Sequence, residues 1–168
     1  GATLAITREA TVFGRASRAF RYPVLDELFD FFGNTIDTTL VPQRSNDVEG
    51  GVRIESGQTQ ASVSVFRLTA EDEIYFNPVG GAFGFGANEN LDGGSRRIGA
   101  ELAASTGVGA VRVGGTLTFT KATIDGGAYN GQRMPGVPAR RATFLVQAPL
   151  ARGTSLGLEG LVVGARRF

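Results

Sequence analysis

The sequence contains no cysteine, no histidine and no tryptophan. Without cysteine there are no disulfides and no zinc-thiolate sites, and without histidine the usual general acid/base group is absent. Long hydrophobic runs are missing as well. No stretch approaches the roughly 18 apolar residues that a membrane-spanning helix needs. No secretory leader heads the chain, which begins at Gly1 and is read as a mature piece or a fragment. Charge of one sign is not concentrated: 17 Lys and Arg oppose 16 Asp and Glu, and the arginines are scattered, so no nucleic-acid partner is expected.

What is present points to sheet. With 42% apolar and 20% charged residues, the chain is too apolar for disorder. Mean hydropathy is close to zero, high for a soluble domain but suited to strands of which only alternate residues face lipid. Glycine is abundant, 25 of 168 residues, with no fixed period. That excludes collagen, weakens any helical reading and suits sheet with many turns.

Alternation is cleanest from Val111 to Thr120, where Val111, Val113, Gly115, Leu117 and Phe119 share one face and Arg112, Gly114, Thr116, Thr118 and Thr120 the other. About ten residues of period 2 is a strand of membrane-crossing length. The pattern recurs around Val48, Val52 and Ile54, around Ile98 and Leu102, around Phe144 and Val146, and around Leu156 and Leu158. Two strands are less tidy: Arg18 joins the face of Val12, Gly14 and Ala16, and Arg67 joins that of Val63 and Val65. A bulge, or the end of an apolar band, is expected at each. About eight strands follow, over roughly 2–8, 10–20, 46–56, 58–70, 94–106, 108–122, 139–149 and 153–166. Pro23 to Phe32 forms at most a short helical turn, with Leu25, Leu28 and Phe29 on one side.

The connections alternate. Short turns fall near Glu9, near Gly57, at Thr106 to Gly109 and at Leu150 to Gly153; long loops run about 21–45, 71–93 and 123–138. Sorting of this kind is how outer-membrane barrels are built, with short periplasmic turns and long outer loops. The fold class expected is all-β: an antiparallel transmembrane β-barrel, or a segment of one. The apolar face then meets lipid through Val48, Val52, Ile54, Ile98, Leu102, Val111, Val113, Leu117, Phe119, Phe144, Val146, Leu156 and Leu158. The polar face lines the lumen through Arg15, Glu49, Arg53, Glu101, Arg112, Thr116, Thr118, Arg141 and Glu159. With Glu55 included, this set mixes both signs, which fits either a packed network in a small barrel or the lining of a wide one. Phe20, Tyr22, Tyr75 and Phe76 fall near the long-loop ends of strands, where an interfacial girdle would sit, though packing within the loops explains them equally well.

Other candidate sites are weak. The acids Glu71, Asp72 and Glu73, and Asp26, Glu27 and Asp30, lie in expected loops; solvated loop charge explains them better than a carboxylate dyad or a Ca²⁺ site. Gly80 to Gly86 lacks the Gly-Lys-Ser/Thr ending of a phosphate loop. Arg133, Arg140 and Arg141 could meet an anionic ligand or lipopolysaccharide, but a solvated rim is the simpler reading. Tyr22, Tyr75, Arg133 and Arg140 are the candidates for ligand contact in the outer loops. No catalytic set, metal site or cofactor motif is found, and no enzyme activity is expected. Phe168 follows Arg166 and Arg167 at the end of an outward-running strand, the wrong polarity for a terminal assembly signal, and reads as coincidence or truncation.

Five segments resemble one family. Residues 10–29, ATVFGRASRAFRYPVLDELF, look like the strand and loop of TonB-dependent receptors that carry a G/A-F-R-x-P-x-L-x-E-L-F/Y stretch. Residues 41–54, VPQRSNDVEGGVRI, resemble the next loop and its E-x-G-x-R strand, with Gln43 where an acidic residue is usual and Val41 replacing the usual approach. Residues 62–76, 88–104 (with Ile98-Gly99-Ala100-Glu101-Leu102) and 131–141 (GQRMPGVPARR) follow in family order. The resemblance implies the later part of a 22-stranded outer-membrane barrel of a Gram-negative bacterium that imports a siderophore, cobalamin or similar scarce nutrient. It also implies that the plug and the TonB box lie outside these 168 residues, so that TonB acts only through a plug not present here. The partners expected are outer-membrane lipid and either the remaining barrel strands or another chain covering the edges. The alternatives are a reduced small barrel with a structural or assembly-subunit role, and a soluble β-barrel or sandwich that binds a small ligand, which the strand length and loop sorting disfavour.

Overall fold

The computed structural model describes residues 1–30, 35–81 and 83–165. Eight strands, each nine residues or longer except the first, form one antiparallel sheet, a meander interrupted only by the small hairpins of the long loops. They are, in sheet order, β1 (Ala2–Ala5), β2 (Ala10–Arg21), β5 (Gln43–Ser56), β6 (Thr59–Glu71), β9 (Gly94–Val108), β10 (Val111–Asp125), β11 (Arg140–Pro149) and β12 (Ser155–Val163). Two small hairpins sit in the long loops: β3 (Phe29–Asp30) with β4 (Thr35–Ile36), and β7 (Ile74–Asn77) with β8 (Ala87–Asn90). The helical turn expected after Pro23 is α1 (Leu25–Leu28). No helix among the described residues is long and apolar enough to cross a membrane.

The sheet is open. β1 and β12 are its edges, and each leaves a row of backbone groups unpaired among the described residues. Pairing elsewhere is continuous, from Ala10 opposite Ile54 to Arg21 opposite Gln43, and from Arg44 opposite Glu71 to Ser56 opposite Thr59. There is no bulge at Arg18 or Arg67; past Arg67 the same face carries Thr69 and Glu71, whereas past Arg18 it carries the exposed Phe20.

Two of the short turns show why glycine is placed where it is. Gly57 (φ 57°) and Gly109 (φ 62°) each open a two-residue loop between paired strands. A positive φ at that position keeps the turn compatible with the right-handed twist of the strands. On the opposite side, the loops 22–42 and 72–93 pack together over the end of the sheet. Leu40 and Leu91 are buried, as are Ala70, Ser95, Ala122 and Ile124 at the strand ends beneath. Asn90 ties the two loops together. Its Oδ1 accepts from Val41 N–H at 2.9 Å, and its Nδ2 donates to the carbonyls of Val41 (3.0 Å) and Asp72 (2.7 Å).

Candidate functional site: the concave face of the sheet

Strand alternation fixes two faces. Along the first half of β5, Gln43, Ser45, Asp47 and Glu49 are partly covered while Arg44, Asn46 and Val48 are exposed, so the sheet curls around the first set. The unbroken register carries these faces across all eight strands. Arg15, Glu49, Arg53, Glu101, Arg112, Thr116, Thr118, Arg141 and Glu159 all share the concave face. Val48, Val52, Ile54, Ile98, Leu102, Val111, Val113, Leu117, Phe119, Phe144, Val146, Leu156 and Leu158 all share the convex one. Many of the convex apolar side chains are uncovered: Val65, Leu156 and Leu158 are each 61% exposed.

The concave face holds a groove of about 860 Å³ bordered by Arg53, Glu55, Thr116, Arg141 and Glu159. A neighbouring hollow of about 510 Å³ reaches Arg15, Glu49, Glu101 and Thr118. Arg15 bridges two carboxylates of β5, Glu49 at 2.8 Å and Asp47 at 3.5 Å. Arg53 stacks on the Phe13 ring, its guanidinium carbon 5.7 Å from the centroid. Thr116 and Thr143 share a hydroxyl hydrogen bond of 2.6 Å. Glu101, Arg112, Arg141 and Glu159 form no ion pair with a described residue. The lining is thus mostly separate charges of both signs along an open groove, rather than a packed network. Such a surface suits water and polar solutes, and holds no geometry for covalent chemistry. Among the described residues no acidic cluster is arranged to hold a metal ion.

At the long-loop end two expectations are corrected. Glu73, read as a solvated loop acid, is largely covered and bound to the wall. It accepts from Arg97 at 2.5 and 3.2 Å and from the Ser95 hydroxyl. Folding of the 72–93 loop over the strand ends removes Glu73 from water and hands it a guanidinium. The grouping of Arg133, Arg140 and Arg141 is also split, because Arg140 and Arg141 are successive residues of β11 and point to opposite faces. Arg133 bridges to Thr123 of β10.

The tyrosines and aromatics divide. Phe20 and Tyr22 meet edge to face at 5.5 Å and are exposed beyond the end of β2. Tyr75 is half-buried in the β7–β8 hairpin with Glu89 at 3.5 Å; burial, reinforced by the Glu89 charge, pushes its phenol pKa up. Glu27 accepts two hydrogen bonds from Arg21, at 2.9 and 2.7 Å, and that partner holds its carboxyl below its ordinary value. Sequence reasoning missed the Glu73–Arg97 pair and the role of Asn90. Both depend on loop closure, for which the spacing of residues gives no signal. Phe168 lies outside the described residues.

A family model described as "TonB dependent receptor-like, beta-barrel" matches residues 1–166. Comparison with curated protein sequences gives no match. Among solved structures, the copper transporter OprC superposes with a TM-score of 0.69 at 18% identity, over 89% of this chain and 23% of its own. The ferric-catecholate import receptor Fiu from E. coli K12 gives 0.66 at 23% identity, over 96% and 23%. The FrpB iron transporter from Neisseria meningitidis gives 0.64 at 17%, over 95% and 25%. At these identities the likeness is one of fold, and this chain spans about a quarter of the length of each structure.

Proposed function

Because the chain belongs to the family of TonB-dependent receptor-like β-barrels of the bacterial outer membrane, transporters rather than enzymes, we propose that its eight strands form one arc of a transport barrel's wall. In this reading the convex face, with Val52, Leu102, Leu117, Val146 and Leu158, lies against lipid. The concave face, with Arg15, Glu49, Arg53, Glu101, Arg112, Arg141 and Glu159, lines the lumen and faces either water or a plug. The edges β1 and β12 pair with further strands, since an unpaired edge in hydrocarbon costs several kcal/mol per orphaned group. The cargo is a scarce nutrient of the siderophore or cobalamin kind, admitted through the outer loops that carry Tyr22, Tyr75 and Arg133; Arg140, the first residue of β11, stands on the convex face instead. Import is driven by TonB through a plug domain. Similar structures named as a copper transporter, a ferric-catecholate import receptor and an iron transporter support a scarce nutrient as cargo.

The observation that carries the wall assignment is an unbroken ladder whose convex face exposes large apolar side chains along all eight strands, whereas on the concave face of the described strands only Leu161 and Val163 of β12 do so. The chain has no cysteine, so single cysteines report cleanly from it. Val65→Cys and Leu158→Cys, carrying a fluorophore in the membrane-inserted receptor, should be quenched by nitroxide lipids. Thr116→Cys and Glu159→Cys, exposed on the concave face, should answer to aqueous quenchers instead. Equal quenching on both faces sinks the assignment. Uptake of radiolabelled ferric siderophores and cobalamin by cells with and without the receptor tests the cargo.

A further inference from the structure

The two long loops that meet over the end of the sheet are each pinned to its concave face by one arginine. Arg21 of β2 donates to both carboxylate oxygens of Glu27, at 2.9 and 2.7 Å. Arg97 of β9 donates to both oxygens of Glu73, at 2.5 and 3.2 Å. By alternation Arg21 shares the face of Arg15, and Arg97 that of Glu101. β5 and β6 lie between β2 and β9, so the pins stand three strand spacings apart across the sheet, roughly 14 Å.

A crossbar joins the pins. β8 carries Asn88 and Asn90 on one face, while Glu89 between them turns the other way, to Asn77 at 3.0 Å. Asn88 Nδ2 donates at 3.3 Å to the carbonyl of Glu27, the residue whose carboxylate Arg21 holds. Asn90 commits its side-chain oxygen and both amide hydrogens to Val41 and Asp72. Leu91, the next residue, donates its N–H at 2.8 Å to the carbonyl of Glu73, the residue whose carboxylate Arg97 holds. Each pinned glutamate thus binds the wall through its side chain and the crossbar through its main chain. Little else positions the first loop: among its described residues only Leu40, beside Val41, is buried, and Val24, Leu25 and Ile36 are exposed.

We propose that β8 couples the two loops mechanically, so that the β7–β8 hairpin and residues 24–28 and 39–41 move as one body and release of either arginine pin loosens both loops. Such coupling needs contiguous contacts along a definite route, and Glu27, Asn88, Asn90, Leu91 and Glu73 supply one. Tyr75 stands on β7, so a ligand that displaces it pulls on Glu27 and Val41 as well. That consequence rests on the outer-loop reading of the cargo site above; the coupling itself does not, and its test needs no cargo.

The test is amide hydrogen–deuterium exchange on the complete receptor in nanodiscs, with no cargo added. Arg97→Ala should speed exchange at residues 74–77 and 87–91 and, through the crossbar, at residues 24–28, by about fivefold or more at each. Arg21→Ala should act in the other direction, speeding exchange at 24–28 and also at 87–91. In an Asn88→Ala/Asn90→Ala background each arginine change should still speed exchange in its own loop and no longer in the other. Arg97→Ala that leaves residues 24–28 at their native rates overturns the proposal. So does transmission that survives removal of both asparagines, because the route then lies elsewhere. Amides from Val113 to Leu117 in β10 should keep their native protection in every variant; loss of protection there would mean that the whole sheet has loosened, and overturns the crossbar as the route.

Discussion

Arg97 Nη2 donates to Glu73 Oε1 at 2.5 Å across 24 residues of chain, joining the start of an outer loop to the inner side of the wall. The Ser95 hydroxyl and the second guanidinium nitrogen of Arg97 both point at Glu73 Oε2, so neither carboxylate oxygen is idle. A largely covered carboxylate that loses its guanidinium is left with an uncompensated charge. Arg97→Ala should therefore loosen the 72–93 loop by about 1–3 kcal/mol, while the double variant Glu73→Gln/Arg97→Ala should cost less than the two single changes summed. Amide exchange across residues 72–93 in the folded receptor measures both; additive effects would show that the pair is not coupled.

Glycine at position 51 makes a different prediction. A Cβ added there would stand 2.7 Å from Cζ of Phe13, its cross-strand neighbour, and would press on the Val63 carbonyl. The ring occupies the space beside the glycine that a side chain would fill, and in that position it carries Arg53. Gly51→Ala must displace the ring or bend the strand, at about 1–3 kcal/mol. The heat-induced mobility shift of the receptor on gels should move to lower temperature, and Gly51→Ala with Phe13→Leu should recover part of the loss.

These two cases show where the sequence was legible. Val111 to Phe119 alternates because one face avoids water and the other does not, and that single pressure is written residue by residue. From it came the strands, the sorting of loops and the faces on which Arg53 and Leu102 stand. Gly57 and Gly109 were readable as turns for a local reason, a backbone conformation that other residues resist. Glu73 was not readable, because a loop acid that folds back onto Arg97 looks in sequence like one that does not. Arg140 and Arg141 were grouped by adjacency, and the strand separated them. The open edges at β1 and β12 have no local signature either, since edge and interior strands alternate alike.

The Arg21–Glu27 pair makes the long loop after β2 sensitive to acid. Arg21 lowers the carboxyl pKa of Glu27 in the folded loop, and the Val24 N–H adds to the effect at 3.0 Å. A carboxyl depressed by folding contributes stability above its unfolded pKa, and that contribution is lost as pH falls through the folded value. The loop should therefore hold at neutral pH and open as the medium becomes acidic below the ordinary carboxylate range. Arg21→Gln should flatten this dependence by weakening the loop at neutral pH, where Glu27 is ionised, with little change at low pH. Exchange rates of the Val24 and Glu27 amides across a pH series read the effect; a loop that opens equally at all pH values in the native protein would contradict it.

Leu102 offers the sharpest contrast between the two faces. It lies about halfway along β9 on the convex side, with Val63 and Leu117 opposite on the two neighbouring strands. Ala103, the next residue, borders the concave groove with Thr116 beside it. Arginine at a lipid-facing position near the bilayer midplane costs about 2–4 kcal/mol, because its charge must be dragged toward the interface or stripped of water. On a wet lumenal wall the same side chain finds solvent and the carboxylate of Glu101 on the same face. Leu102→Arg should therefore lower the folded fraction of the receptor in urea titrations in lipid vesicles, and Ala103→Arg should change it by less than about 1 kcal/mol. One residue of displacement along a strand separates the two outcomes, so helix propensity, local sequence and net charge are matched. Equal penalties would mean that both faces of β9 are buried in the same medium, which no arc of a transport barrel allows.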